Sequence, residues 1–214
     1  MALYGDLPTI HSEAGDVQGV NVRVPNPPKV ATLRLPTSEE MLVRLGHQKS
    51  IRRDLGRRKT QTEYVPNTKA DLDLFNKIRL DKDGPEFDEF EASTAVSKLT
   101  YCEVIDCQRA GEEYLITLRT SFGEVKHWVR IPTQRDISIY RRGMVSATEL
   151  PHGQQELRYR TEPAIELYDA AIAKIEGYSA SYKPADVPPH HKSAVIVELV
   201  NAIDDLDPTF DPNF

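Results

Sequence analysis

The sequence predicts an α+β fold made of two duplicated units of β-hairpin, helix, short extended run and helix, followed by a C-terminal helix and an acidic tail. Two observations lead there. A short stretch occurs twice, Thr32-Leu33-Arg34-Leu35-Pro36-Thr37 and Trp128-Val129-Arg130-Ile131-Pro132-Thr133, at a constant offset of 96 residues. Around each copy, runs of period two, the mark of a half-buried strand, give way to runs of period 3.6, the mark of an amphipathic helix.

The junction itself follows from side-chain chemistry. Leu33 and Leu35 alternate with Thr32 and Arg34, and Pro36 has no N–H to give a sheet ladder, so the strand stops there. Thr37 then suits a helix cap, its hydroxyl accepting from first-turn amides while Glu40 reaches back. Thr133 and Asp136 repeat the device with a shorter carboxylate.

Residues 1–16 carry Gly, Pro, Ser and Asp without periodicity and read as an irregular N-terminal arm. Residues 17–80 form the first unit. Val20, Val22 and Val24 alternate with Asn21 and Arg23, Pro25-Asn26-Pro27-Pro28 makes a stiff exposed loop, and the chain returns over residues 29–35. A helix over 38–55 then places Met41, Leu42, Leu45, Ile51 and Leu55 on one face, weakened at Gly46 and capped at Gly56. A short strand over 60–65 stops at Pro66. A second helix over 68–80 buries Ala70, Leu74, Phe75 and Ile78, with Asp71 completing a cap at Thr68.

Residues 81–112 read as a connector: an acidic turn, a helix over 87–99 burying Phe87, Phe90, Val96 and Leu99, and a strand over 101–108. Residues 113–176 form the second unit, with strands over 114–119 and 125–131, a helix containing Ile137, Ile139 and Tyr140, a turn at Pro151-His152-Gly153, an extended run over 156–159 and a helix over 162–175. There Ile165-Glu166-Leu167-Tyr168 answers Leu72-Asp73-Leu74-Phe75, the offset having slipped to 93 through loop length. Residues 177–214 depart from the repeat, with a helix over 190–206 burying Val195, Ile196, Leu199, Val200 and Ile203, then an acidic tail carrying Phe210 and Phe214.

Composition narrows function. The chain has 214 residues, a net charge of −6 and 39% hydrophobic residues, the balance of a globular protein. No apolar run approaches the roughly 20 residues that span a bilayer, and Met1-Ala2-Leu3-Tyr4-Gly5-Asp6 lacks the regions of a signal peptide, so no membrane and a cytoplasmic compartment are expected. Cys102 and Cys107 lie five apart in one strand, an odd separation that faces opposite sides, so they are expected as reduced thiols that neither bond nor bind zinc.

No reaction is spelled out either. The acidic run from Asp81 to Glu91 fails the calcium-loop pattern, which would need Gly where Glu86 stands and an acid where Ala92 stands. His11, His47, His127, His152, His190 and His191 show no metalloprotease spacing, and there is no phosphate loop or nucleophile elbow. No catalytic, cofactor-binding or metal residue is assigned, and a non-enzyme is expected.

The strongest charge feature is a basic cluster, Arg44, Lys49, Arg52, Arg53, Arg57, Arg58 and Lys59, opposed within its own span by Asp54 alone. It is the candidate protein-binding site, suited to an acidic protein surface. Without aromatic interleaving, a zinc module or a recognition-helix pattern, nothing points it at nucleic acid.

A hairpin whose second strand ends in Arg-x-Pro-Thr and runs straight into a helix, as at Leu33-Arg34-Leu35-Pro36-Thr37 and Val129-Arg130-Ile131-Pro132-Thr133, resembles the core of tail assembly chaperones of long-tailed bacteriophages. That resemblance implies a non-enzymatic phage or prophage tail assembly factor acting in virion morphogenesis in the cytoplasm of a bacterial host. Its partners would be other tail proteins, the tape-measure or tail-tube protein, or the chain itself. The alternative is a structural virion subunit, a tail or head-to-tail component that forms a ring.

Overall fold

The computed structural model describes residues 9–12, 15–25, 28–46, 49–54, 60–65 and 68–206. In chain order the elements are β1 (Thr9–Ser12), β2 (Gly15–Val24), β3 (Lys29–Arg34), α1 (Ser38–Gly46), β4 (Lys49–Asp54), β5 (Thr60–Val65), α2 (Thr68–Ile78) and α3 (Glu89–Leu99). There follow β6 (Cys102–Ala110), β7 (Glu113–Thr120), β8 (Gly123–Arg130), α4 (Gln134–Met144), β9 (Val145–Leu150), β10 (Gln154–Tyr159), α5 (Glu162–Ala171), β11 (Ile172–Glu176) and α6 (Pro189–Leu206). The architecture is α+β, with three antiparallel sheets ordered β1-β2-β3, β5-β4-β10-β9 and β11-β8-β7-β6.

The duplication extends beyond residues 17–80 and 113–176. β1-β2-β3-α1-β4-β5-α2-α3 is matched element by element by β6-β7-β8-α4-β9-β10-α5-α6. Even the strand closing the second copy has a forerunner: Ile172 of β11 pairs with Val129, and the equivalent Arg79 makes a single antiparallel bridge to the equivalent Leu33. The stretch 81–112 is therefore no connector, since α3 completes the first copy and β6 opens the second. Likewise α6 does not depart from the repeat. It packs on α5, β6 and β7 as α3 packs on α2 and β2.

By contacts the described residues form two compact units, one drawn from 9–100 with 141–161, the other from 101–140 with 162–206. In the first, Val22, Val24, Ala31 and Leu33 of the hairpin meet Met41, Leu45, Phe75, Ile78, Val96 and Leu99 in a buried core. In the second, Ile116, Leu118, Val125 and Val129 meet Ile137, Tyr168, Ile196 and Leu199. The inner hairpin β9-β10 belongs by sequence to the second copy, yet it joins the unit of the first by pairing β10 with β4.

Several expected elements change. Within the stretch 1–16 expected as an irregular arm, Thr9–Ser12 is a strand that pairs with β2, which itself begins at Gly15. The helix expected over 38–55 ends at Gly46, and Lys49–Asp54 is a strand. The helix over 162–175 ends at Ala171, with Ile172–Glu176 extended along β8. α3 starts at Glu89 behind an Asp88 cap, so Phe87 lies before the helix with its ring 4.9 Å from Phe75, and Phe90 is 76% exposed where burial was expected. Thr68 and Asp71 do not cap α2: the Thr68 hydroxyl donates to Glu89, and Asp71 accepts from Arg44 and Ser93.

The cysteines also differ from expectation. A bulge between Val104 and Asp106 inserts a residue into β6, so Cys102 faces Thr120 and Cys107 faces Ile116, partners that share a side of β7. The two thiols thus lie on one face. Four residues of strand still separate their partners, roughly 13 Å at the usual rise, too far for a disulfide, and both are free. Burial pushes the Cys102 thiol up to about 12 and the Cys107 thiol to about 11.

Candidate functional site

The two strand-to-helix junctions are built as their residues dictate. Thr37 N–H donates to Glu40 (2.8 Å) and Glu40 N–H to the Thr37 hydroxyl (3.2 Å), closing a capping box. The Arg34 guanidinium forks onto both Glu40 oxygens at 2.9 and 2.7 Å, and this bond above all lowers the Glu40 carboxyl to about 2. In the second copy Thr133 N–H donates to Asp136 (3.1 Å), Asp136 N–H donates to the Thr133 hydroxyl (3.3 Å), and that hydroxyl donates back to the carboxylate at 2.6 Å. The shorter acid is thus held chiefly by its own cap.

Each junction leads into a shallow groove between the two helices that follow it. Glu40, Val43 and Arg44 of α1 face Ala70, Asp73, Leu74 and Lys77 of α2; Asp136, Ile139 and Tyr140 of α4 face Pro163, Glu166, Leu167 and Ala170 of α5. These are the same seven positions of the repeat. Their chemistry has diverged, because Arg44 and Lys77 in the first groove are Tyr140 and Ala170 in the second. At about 90 and 140 Å³ both are well under the several hundred Å³ of a typical cofactor pocket. Ile139 stands 56% exposed at the rim of the apolar groove.

Among the described residues, the members of the basic cluster stand on two elements and on both sides of one strand. Arg44 lies on α1 in a 2.5 Å ion pair with Asp71, and its guanidinium also reaches Thr100. Lys49, Arg52 and Arg53 are on β4, where alternation puts Lys49 and Arg53 on one side and Arg52 on the other. Lys49 pairs with Glu156 of β10 at 3.3 Å and Arg53 with Glu63 of β5 at 3.5 Å. Arg57, Arg58 and Lys59 lie outside the described residues, as do Leu55, Gly56 and the acidic tail. Acids distant in sequence neutralise three of the seven cations, which counting charges within the span could not reveal.

The acidic run is structural. Asp88 and Glu91 close a capping box on α3, Glu91 also pairs with Lys29 at 2.7 Å, and Asp81 accepts from the Thr32 N–H at 2.9 Å. Together they fasten α3 to the hairpin of its own copy.

Sequence reasoning missed a buried polar chain in the second unit. Tyr168 OH lies 2.8 Å from His127 Nδ1, Tyr178 OH 3.0 Å from His127 Nε2, and the same Tyr178 OH 2.9 Å from His191 Nδ1. Both histidines are fully buried. Burial lowers His127 to about 3 and holds His191 well below the usual range, helped by the charge His190 and His127 would carry beside it. Both imidazoles are neutral at pH 7, so each carries one N–H and one acceptor nitrogen. The repeat held the one available signal: Ala31 and Phe75 occupy the positions of His127 and Tyr168 in the first copy.

Comparison of the chain with protein-family models, with curated proteins and with solved structures finds no match. Among the described residues no three His, Cys, Asp or Glu side chains stand together as metal ligands, and no helix is long and apolar enough to cross a membrane.

Proposed function

We infer that this chain is a non-enzymatic assembly factor of a bacteriophage or prophage tail, binding other tail proteins during morphogenesis. The observation that carries the reading is the duplicated Arg-aliphatic-Pro-Thr junction, capped in both copies and opening each time onto an inter-helix groove. A groove between two helices takes the side chains of a third, the way amphipathic helices are recognised. A long helical partner such as a tape-measure protein would offer apolar side chains to the α4–α5 groove and charged ones to the α1–α2 groove.

The second reading, a structural virion subunit, is favoured by the open sheet β5-β4-β10-β9, whose edge strands β5 and β9 are largely exposed among the described side chains. Protein analysis of purified particles from the source phage or prophage separates the two. An assembly factor is absent from finished particles, and a stoichiometric amount there overturns that reading. Co-expression with the tape-measure protein gives the positive arm: Ile139→Asp, which places a charge at the rim of the apolar groove, is expected to lower recovery of the complex at least tenfold.

A further inference from the structure

The sheet β5-β4-β10-β9 joins two equivalent hairpins in a particular way. Lys49 faces Val65 in the first hairpin, and the equivalent Val145 faces Tyr159 in the second, so their internal registers agree. β4 corresponds to β9 as the first strand of its hairpin, and β5 to β10 as the second. The junction between hairpins pairs β4 with β10, a first strand with a second. It is head-to-tail. The edges left over are β9, a first strand, and β5, a second strand, so the chain carries at its two edges the same complementary pair that it has already joined internally.

We propose that a second copy of this chain pairs its β5 edge with the β9 edge of the first, antiparallel, reproducing the β4–β10 junction between molecules. Transferring the register of Gln154 opposite Arg53 and Glu156 opposite Ile51 sets Thr60 opposite Glu149, Gln61 opposite Thr148, Thr62 opposite Ala147 and Glu63 opposite Ser146. No like charges meet, whereas the internal junction accommodates Arg158 opposite Lys49 with the help of Glu156.

The edges are built to be joined. Thr-Gln-Thr-Glu-Tyr-Val and Val-Ser-Ala-Thr-Glu-Leu hold no Pro and no Lys, neither strand is bulged against its neighbour, and a single Glu is the one charge on each, so most of the usual protections of a free edge are missing. Among the four strands' described side chains Ser50 alone is buried. A sheet so little covered gains stability by extension. Because a head-to-tail contact leaves both its halves free at the ends, it propagates, closing as a ring of four strands per copy or continuing as a filament. The inference rests on the sheet alone and stands or falls apart from the tail reading.

Directed cross-linking of the full chain tests it. One preparation carries Thr62→Cys, another Ala147→Cys, and each is oxidised alone and as a mixture, with linked peptides identified by mass spectrometry. Directly opposed strand residues lie about 4.5–5.5 Å apart between Cα atoms, within disulfide reach. The expected result is a 62-to-147 link between chains in the mixture and none in either preparation alone. Like-to-like links, or no link in the mixture, overturn the proposal. Sedimentation of unsubstituted chain and of Ala147→Lys gives the second arm: the former is expected as a multimer, the latter as a single chain with unchanged circular dichroism. A single-chain mass for the unsubstituted protein at every concentration, or an Ala147→Lys variant of undiminished mass, overturns it as well.

Discussion

Lowering the pH from 7.5 to 5.5 should destabilise the second unit through His127 and His191. In the unfolded chain a histidine titrates near 6.5; in the folded protein burial holds His127 at about 3 and His191 well below 6.5. The folded state therefore binds fewer protons in this window. The stability these neutral imidazoles confer is complete above pH 6.5 and is lost as the pH falls from there toward 3. One unit below 6.5, His127 has given up about 1.4 kcal/mol, and His191 adds a loss in the same direction. For a chain of this size the His127 part alone lowers the melting temperature by about 3–6 °C. Glu40 does not blur the reading: lowered to about 2, its contribution stays whole above about pH 4.5. Circular dichroism melts at the two pH values measure the shift. The double variant His127→Ala, Tyr168→Phe, which installs the residues of the first copy, should reduce it to the His191 part. Equal melting temperatures at pH 7.5 and 5.5 would refute the assignment of neutral buried histidines.

Thr37→Ala removes one side of the capping box on α1 and should cost about 1 kcal/mol, lowering the melting temperature by about 2–4 °C; no change counts against the cap. Gly177 has φ +85° and an added Cβ would run into the Glu124 carbonyl oxygen, whereas Gly111, at φ +68°, has open space around it. Gly111→Ala should therefore show only the left-handed penalty of about 1–2 kcal/mol, and Gly177→Ala a clearly larger loss in urea denaturation; equal losses would sink the clash. Phe90→Ser should leave stability within about 0.5 kcal/mol, while Phe75→Ala should cost about 3–5 kcal/mol, and a large effect at Phe90 would contradict its exposure.

Legibility in the sequence followed the range of the forces involved. The junctions at Pro36-Thr37 and Pro132-Thr133 were readable because proline chemistry and capping act within four residues. The α+β class and most of the buried residues of α2 and α6 were readable for the same reason, their periodicity being local, although Ala70 and Ile203, expected in the core, are half-buried. The helix over 38–55 overran because Lys49-Ser50-Ile51-Arg52-Arg53-Asp54 carries one apolar residue, too few to fix a period, and its strand state is set by β10, about 100 residues away. β9 escaped notice because Val-Ser-Ala-Thr-Glu-Leu has no buried face to pattern. The kinship of α3 and α6 left no shared residues to align; their packing alone reveals it. The grooves were half legible, since the repeat gave their positions, but the pairing of Arg44 with Asp71 and of Lys49 with Glu156 needed the third dimension.

The loan of β9-β10 to the sheet of the first copy carries a consequence for synthesis on the ribosome. β4 is made early, but its partner β10 ends at Tyr159. At the usual 5–20 residues per second, the nascent chain waits roughly 5–20 s with the inward edge of β4 unpaired. During that interval the edge is open to neighbours on the same message, whose own β4 and β5 have also emerged. Crowded translation therefore favours exchange of inner hairpins between chains, and the spacing of ribosomes on the transcript becomes a determinant of whether the hairpin is kept within one molecule or traded to the next.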